Sequence, residues 1–299
     1  MEKLGALAAF GTAVCWSLSA IFFETGTKRM GALAINFWKV AVALVFLTLS
    51  ALVSRGMPLP LDAPAKAWAL LPLSGFVGFV IADFFLLNAY GLIGSRVTVV
   101  FQSLTPLFTA ALAFVFLGEK MRPIRLLGMV VVIAGILLVV LSRLSTEKTE
   151  APRRYSKKGL LYAFLSSFFQ AVGLVFSKLG LGSYDVISGT QIRVFTAMLG
   201  FGVQALILRQ SFNVFVKPTK DRTTVRATVA GAFFGPFVGV VFSLFALQNT
   251  LAGTASTLMA LTPVLIIPPS ILLLKQKVTV FEIIGAFIAV CGAALFFTL

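Results

Sequence analysis

The chain has 299 residues, 59% of them hydrophobic and only 12% charged, with 25 Lys and Arg against 10 Asp and Glu, a net charge of +15 and no histidine. Soluble domains are roughly 25% charged, so this composition excludes a soluble enzyme, a disordered chain and a secreted disulfide scaffold. It points to an integral membrane protein. The basic residues fall mostly between apolar runs, as loop charge does in such proteins, which argues against a nucleic-acid footprint.

Ten segments have the roughly 17–25 apolar residues that a spanning helix needs. They are predicted at about 4–24, 33–54, 67–89, 95–117, 122–142, 158–178, 186–208, 226–248, 253–274 and 279–298. Period-two alternation is absent, so a transmembrane β-barrel is excluded. The first run is too long for a signal-peptide core and reads as a membrane helix. Cys15 and Cys291 lie inside apolar runs and read as buried small hydrophobes. A hydrophilic stretch near the midpoint, Thr146 to Arg154, suggests a duplication.

The two halves do repeat. Thr105-Pro106 recurs as Thr262-Pro263 at an offset of 157, which also carries Lys120 onto Lys277, Gly128 onto Gly285 and Gly135 onto Gly292. Nearer the start of each half the offset is 154, carrying Gly5 onto Gly159, Phe22 onto Phe176 and Lys39 onto Arg193. Three extra residues between the second and third spans of the second half reconcile the two. The expected organisation is a first five-helix repeat over 1–145, a hydrophilic loop over 146–157 and a second repeat over 158–299. Five is odd, so the second repeat enters from the opposite side of the membrane. Such inverted repeats mark many secondary transporters.

The stretch Gly94-Ser95-Arg96-Val97-Thr98, then Leu104-Thr105-Pro106-Leu107-Phe108, Leu117-Gly118-Glu119-Lys120 and Gly128 to Gly135 resembles the EamA domain of the drug/metabolite transporter superfamily. The second half repeats the pattern as Gly253-Thr254-Ala255, Thr262-Pro263, Gly285 and Gly292, with Leu274-Lys275-Gln276 replacing Leu-Gly-Glu. The resemblance covers essentially the whole chain. It implies an all-α membrane protein whose ten transmembrane helices form two inverted five-helix repeats around a central cavity, working by alternating access. It says little about substrate.

A charge inside a membrane helix costs ~2.5–3.5 kcal/mol even on insertion scales, which makes it a candidate functional group. Lys39 and Arg193 are such charges at matching places in spans two and seven, with Asn36 and Thr190 one turn earlier on the same faces. They read as anchors for a carboxylate or phosphate, or as structural or snorkelling cations. Asp83 in span three has an apolar counterpart, Val240 or Phe237 depending on the offset. It could carry a coupling proton, neutralise a cation or sit at an interface. Thr12, Trp16 and Ser19 form a stripe on span one that matches Ser166, Gln170 and Gly173 on span six. Gln102, with Thr98 and Thr105, forms another on span four. These stripes either line the cavity or pack helices. Pro106 and Pro263 interrupt spans four and nine as hinges or static kinks. Glu24 and Lys178 read as boundary residues.

No metal spacing, catalytic triad or nucleotide loop is present, so the reading is not enzymatic and calls for no cofactor. The expected protein is a monomeric inner (plasma) membrane carrier of a small polar, carboxylate-bearing metabolite, an amino acid or organic anion. Its partners are that small molecule, the lipid bilayer and protons as a candidate coupling ion, with no nucleic acid. Export is favoured over uptake, and the alternative is a polyspecific efflux carrier for apolar cations.

Overall fold

In lipid, every backbone N–H and C=O must be satisfied within its own segment, so apolar runs become helices. The structure, a computed structural model, describes residues 1–146, 156–209, 221–274 and 278–297. The Lys275-Gln276-Lys277 stretch lies outside them.

The first half comprises α1 (Glu2–Met30), α2 (Ala32–Arg55), α3 (Ala65–Gly75), a π-helix (Phe76–Ile81), α4 (Ala82–Gln102), α5 (Thr105–Leu117) and α6 (Pro123–Thr146). The second comprises α7 (Lys157–Leu181), α8 (Val186–Ile207), α9 (Arg222–Ala232), a second π-helix (Phe233–Gly239), α10 (Val240–Asn249), α11 (Ala252–Met259), α12 (Thr262–Leu265), α13 (Ile267–Leu274) and α14 (Val280–Ala294). Nine stretches among the described residues are long and apolar enough to cross a membrane, and α14 is a shorter apolar helix of 15 residues.

The break between spans three and four takes an unexpected form. Helix α4 runs through it without a coil. Yet the Ser166 hydroxyl donates to the Ala82 carbonyl and accepts from the Gln102 amide. Twenty residues of straight helix would separate those partners by about 30 Å. The helical backbone therefore doubles back inside α4, the stretch that holds Gly91 and Gly94.

Ion pairs sort the helix ends onto two faces. On the near face, where Met1 lies, Arg125 pairs with Glu2, Lys178 with Glu119, and Arg55 with Asp62 and Asp185. On the far face, Arg29 pairs with Asp221, and Ser142 bonds Thr279. Spans five and ten pack through repeat-related glycines. A Cβ on Gly135 would lie 2.5 Å from the Ala289 nitrogen and 2.6 Å from the Gly285 oxygen, and one on Gly292 would lie 2.8 Å from the Val132 nitrogen. Only hydrogen in place of a side chain allows that approach. Cys15 is buried as expected, but Cys291 is exposed.

The two π-helices begin at Phe76 and Phe233, again 157 residues apart. They interrupt spans three and eight at one repeat position, and that register pairs Asp83 with Val240 rather than Phe237. The packing around them repeats too. Gly78 meets Gly173, and Gly235 meets Ser19, which lies 154 residues before Gly173.

Candidate functional site

A cavity of about 250 Å³ opens between the halves. Its walls come in repeat-related pairs: Trp16 with Gln170, Val99 with Ser256, Gln102 with Met259, Ser103 with Ala260, and Thr105 with Thr262. A space lined by both members of each pair lies on the pseudo-two-fold axis. Asp83 also lines it, while its counterpart Val240 does not.

The local chemistry holds these side chains in place. Helix α5 starts with Thr105-Pro106 after a turn at Ser103-Leu104, and α12 starts with Thr262-Pro263 after a turn at Ala260-Leu261. Each proline sits in a first turn, where its missing N–H costs nothing. The spans are broken ahead of the prolines rather than bent at them. Thr262 donates to the Met259 carbonyl, an acceptor freed by the break. The Gln102 amide nitrogen donates to Ser166 at 2.8 Å, and the Thr105 hydroxyl donates to the Gln102 oxygen at 3.3 Å, which fixes that amide. Pro263 lines the cavity; Pro106 is buried outside its lining. The edge of Trp16 rests on Gly239, at the end of the second π-helix, where a Cβ would lie 2.8 Å from the indole nitrogen.

The intramembrane charges divide unequally. Lys39 Nζ stands 3.8 Å from Asp83 Oδ2, between the rings of Phe23 and Phe201 at 5.8 and 5.9 Å. That distance is an ion pair but too long for a direct hydrogen bond. Asp83 lines the cavity with 24% of its side chain exposed, while Lys39, at 20%, lies outside the lining. Arg193 is buried outside the lining, with its guanidinium 4.9 Å from the centre of the Phe79 ring. Asn36 is buried, and Thr190 bonds back to the Val186 carbonyl of its own helix; neither lines the cavity. Of the predicted site residues, Trp16, Asp83, Gln102 and Gln170 thus gather at the cavity. Lys39 joins them through Asp83, while Arg193, Asn36 and Thr190 stay behind the wall.

Lys178, a boundary residue by its place in the sequence, is bound across the halves. Its ammonium pairs with Glu119 Oε1 at 2.5 Å and donates to the Thr250 carbonyl, and Glu119 Oε2 accepts the Ala252 N–H at 2.7 Å. Gly118, in the left-handed conformation at φ 66°, ends α5 and turns the chain so that Glu119 reaches across. The sequence signal for this contact is the Leu117-Gly118-Glu119 motif itself.

Apolar spans in an inverted repeat around an axial, largely apolar cavity with a few polar groups fit a multi-pass membrane transporter. The model of the EamA-like transporter family matches residues 3–141 and again residues 157–298. The chain belongs to that family, whose members carry small solutes across membranes. No curated protein matches significantly. Among solved structures 29 chains match. One, described only as a crystal structure of a protein, superposes with a TM-score of 0.78 over 99% of this chain and 96% of its own at 19% identity. At that identity the likeness shows the fold alone.

Proposed function

We propose that this protein is a secondary transporter for a small polar metabolite that carries a carboxylate, such as an amino acid, moved by rocking of the two halves about the cavity. The supporting observation is the Lys39–Asp83 pair at the cavity wall, 3.8 Å apart and incompletely bonded. Such a pair offers a cation to a carboxylate and a carboxylate to an ammonium group. Gln102 and Gln170 add amide donors and acceptors, and Trp16 an apolar face. Lys39 anchors the anionic end, and Asp83, once its partner is engaged by substrate, is free to take up a proton and couple transport to a pH gradient. Arg193 supplies the second positive charge.

The test is flux in proteoliposomes loaded with amino acids or organic acids. Lys39→Ala should abolish it in folded protein. Asp83→Asn should remove dependence on the pH gradient yet leave counterflow exchange intact. Efflux from loaded vesicles, compared with uptake into empty ones, tests the proposed direction of export. Unchanged flux in Lys39→Ala sinks the anchoring role.

A second reading, a polyspecific efflux carrier for apolar cations, is favoured by one observation: the ionisable side chain lining the cavity is a carboxylate, Asp83, beside Trp16. Resistance of expressing cells to cationic dyes, lost in Asp83→Asn and kept in Lys39→Ala, would select this reading over the first.

A further inference from the structure

Among the described residues, Lys39 and Arg193 are cations at matching places inside spans two and seven, and of these two only Lys39 has a counter-ion, Asp83. The register of the π-helices puts Val240 at the repeat position of Asp83, and Val240 is buried at 3% exposure in the cluster that contains Ile192 and packs against Phe79. Arg193 is next to Ile192 and lies on Phe79, so an apolar side chain stands where the repeat would supply a carboxylate. Arg193 is 4% exposed, and its Nε has no hydrogen-bond partner. Among the described residues its guanidinium has only the Phe79 ring as a partner. A ring face compensates a buried charge far less than a carboxylate does.

The wall in front of this cation is bare backbone. A Cβ on Gly78 would lie 3.2 Å from the Gly173 Cα and 3.8 Å from Arg193 Nη2. Gly173 falls between the cavity residues Gln170 and Leu174, and Gly78 is one turn before Ala82 and Asp83, which also line the cavity. Two glycines therefore separate the guanidinium from the solute space.

We propose that Arg193 is a binding site for one singly charged anionic group, a carboxylate or a halide, and that Val240 creates it by withholding the neutralising carboxylate. Since Asp83 already balances Lys39, one negative charge completes the compensation. In the transport reading above Lys39 engages the substrate's carboxylate, and the anion at Arg193 is a second, separate one. The anion site itself can be tested without transport.

The experiment is thermal unfolding of the purified full chain in neutral detergent. A bulky sulfonate buffer anion is replaced stepwise by acetate or chloride at constant ionic strength. The wild type should show a saturable rise in midpoint. Arg193→Gln should lose that response and unfold no lower than the wild type in sulfonate, because it removes an uncompensated charge. Val240→Asp should lose the response by supplying an internal anion, and Val240→Asn should keep it. A response to acetate alone assigns the site to a carboxylate, and a response to both anions assigns it to monovalent anions in general. A flat wild-type midpoint with both anions overturns the proposal. So does a wild-type response in Arg193→Gln, which decides the matter if Val240→Asp does not fold. Absent metabolite flux with an intact anion response counts against the transport reading and leaves this site standing.

Discussion

Lys178 and Glu119 come from opposite halves of the repeat and meet at 2.5 Å on the near face, one helical turn beyond the cavity floor. Leu174 and Ser256 line the cavity; Lys178 lies four residues beyond the first and Ala252 four before the second. The pair thus fastens spans four, six and nine where they close under the solute space. Breaking a largely buried pair by removing one partner costs roughly 3–5 kcal/mol. Glu119→Gln and Lys178→Met should each lower the melting midpoint and let a membrane-impermeant maleimide reach Ser256→Cys from the near face, in a cysteine-free background. The exchange of both residues, Glu119→Lys with Lys178→Glu, should not restore either property, because the carboxylate at 119 also accepts the Ala252 N–H. Unchanged labelling in the single variants would falsify the latch.

The Lys39–Asp83 pair should couple energetically. Asp83→Asn or Lys39→Met alone strands one charge at about one-fifth to one-quarter exposure. The double variant strands none, so its loss of stability should fall short of the sum of the singles by about 1–3 kcal/mol. Urea or heat unfolding in detergent gives the four values of the cycle, and strict additivity would show that the two groups do not interact.

Gly135 and Gly202 should respond oppositely to added side chains. At Gly135 the obstacles are backbone atoms of α14 at 2.5 and 2.6 Å, which cannot swing away. Gly135→Leu should force α6 and α14 apart and abolish the monodisperse peak in size-exclusion chromatography. At Gly202 the nearest atom is the Phe37 ring at 4.0 Å. Gly202→Ala should be neutral or stabilising by up to about 1 kcal/mol, since alanine loses less backbone entropy in a helix.

On the far face Asp221 caps α9 and pairs with Arg29 at 2.7 Å. Hydrogen bonds from the Thr224 hydroxyl, then from Arg29, hold its carboxyl down at about 2. A folded-state value below that of the unfolded chain, near 3.9, contributes stability above about pH 4 and loses it as pH falls toward 2. Asp221→Asn should therefore melt below the wild type at pH 7, with the gap narrowing between pH 4 and pH 2. A gap independent of pH would mean that the cap works without its charge.

The sequence carries much of this architecture because lipid leaves the backbone few choices. Apolar length alone locates the spans, and the Thr-Pro match locates the break in spans four and nine. The interior of α4 was not legible: no coil signal marks the reversal, because the chain turns while remaining hydrogen-bonded as helix. The axial stripes of Trp16, Gln170 and Gln102 could be read from helical spacing. Arg193 shows the limit of such reading. Its type and depth match Lys39, but which side of a helix pair faces a cavity depends on glycine contacts such as Gly78 with Gly173, and these join residues 95 apart in the chain. The π-helices left no trace beyond glycine, phenylalanine and one proline.

Those π-helices set an angular clock for the spans that follow them. A π turn takes in an extra residue, so everything beyond it is rotated relative to an uninterrupted α-helix. If Phe76–Ile81 relaxed to α-helix with all its residues kept, α4 would turn by about 100° against α3. Asp83, two residues past the π-helix, would then swing away from the cavity and from Lys39. At the repeat-related place, the same relaxation of Phe233–Gly239 would swing Val240 and shift the seat of Trp16. The facing of the charged wall is thus set by the winding of one short stretch, and each half keeps its own in its third span.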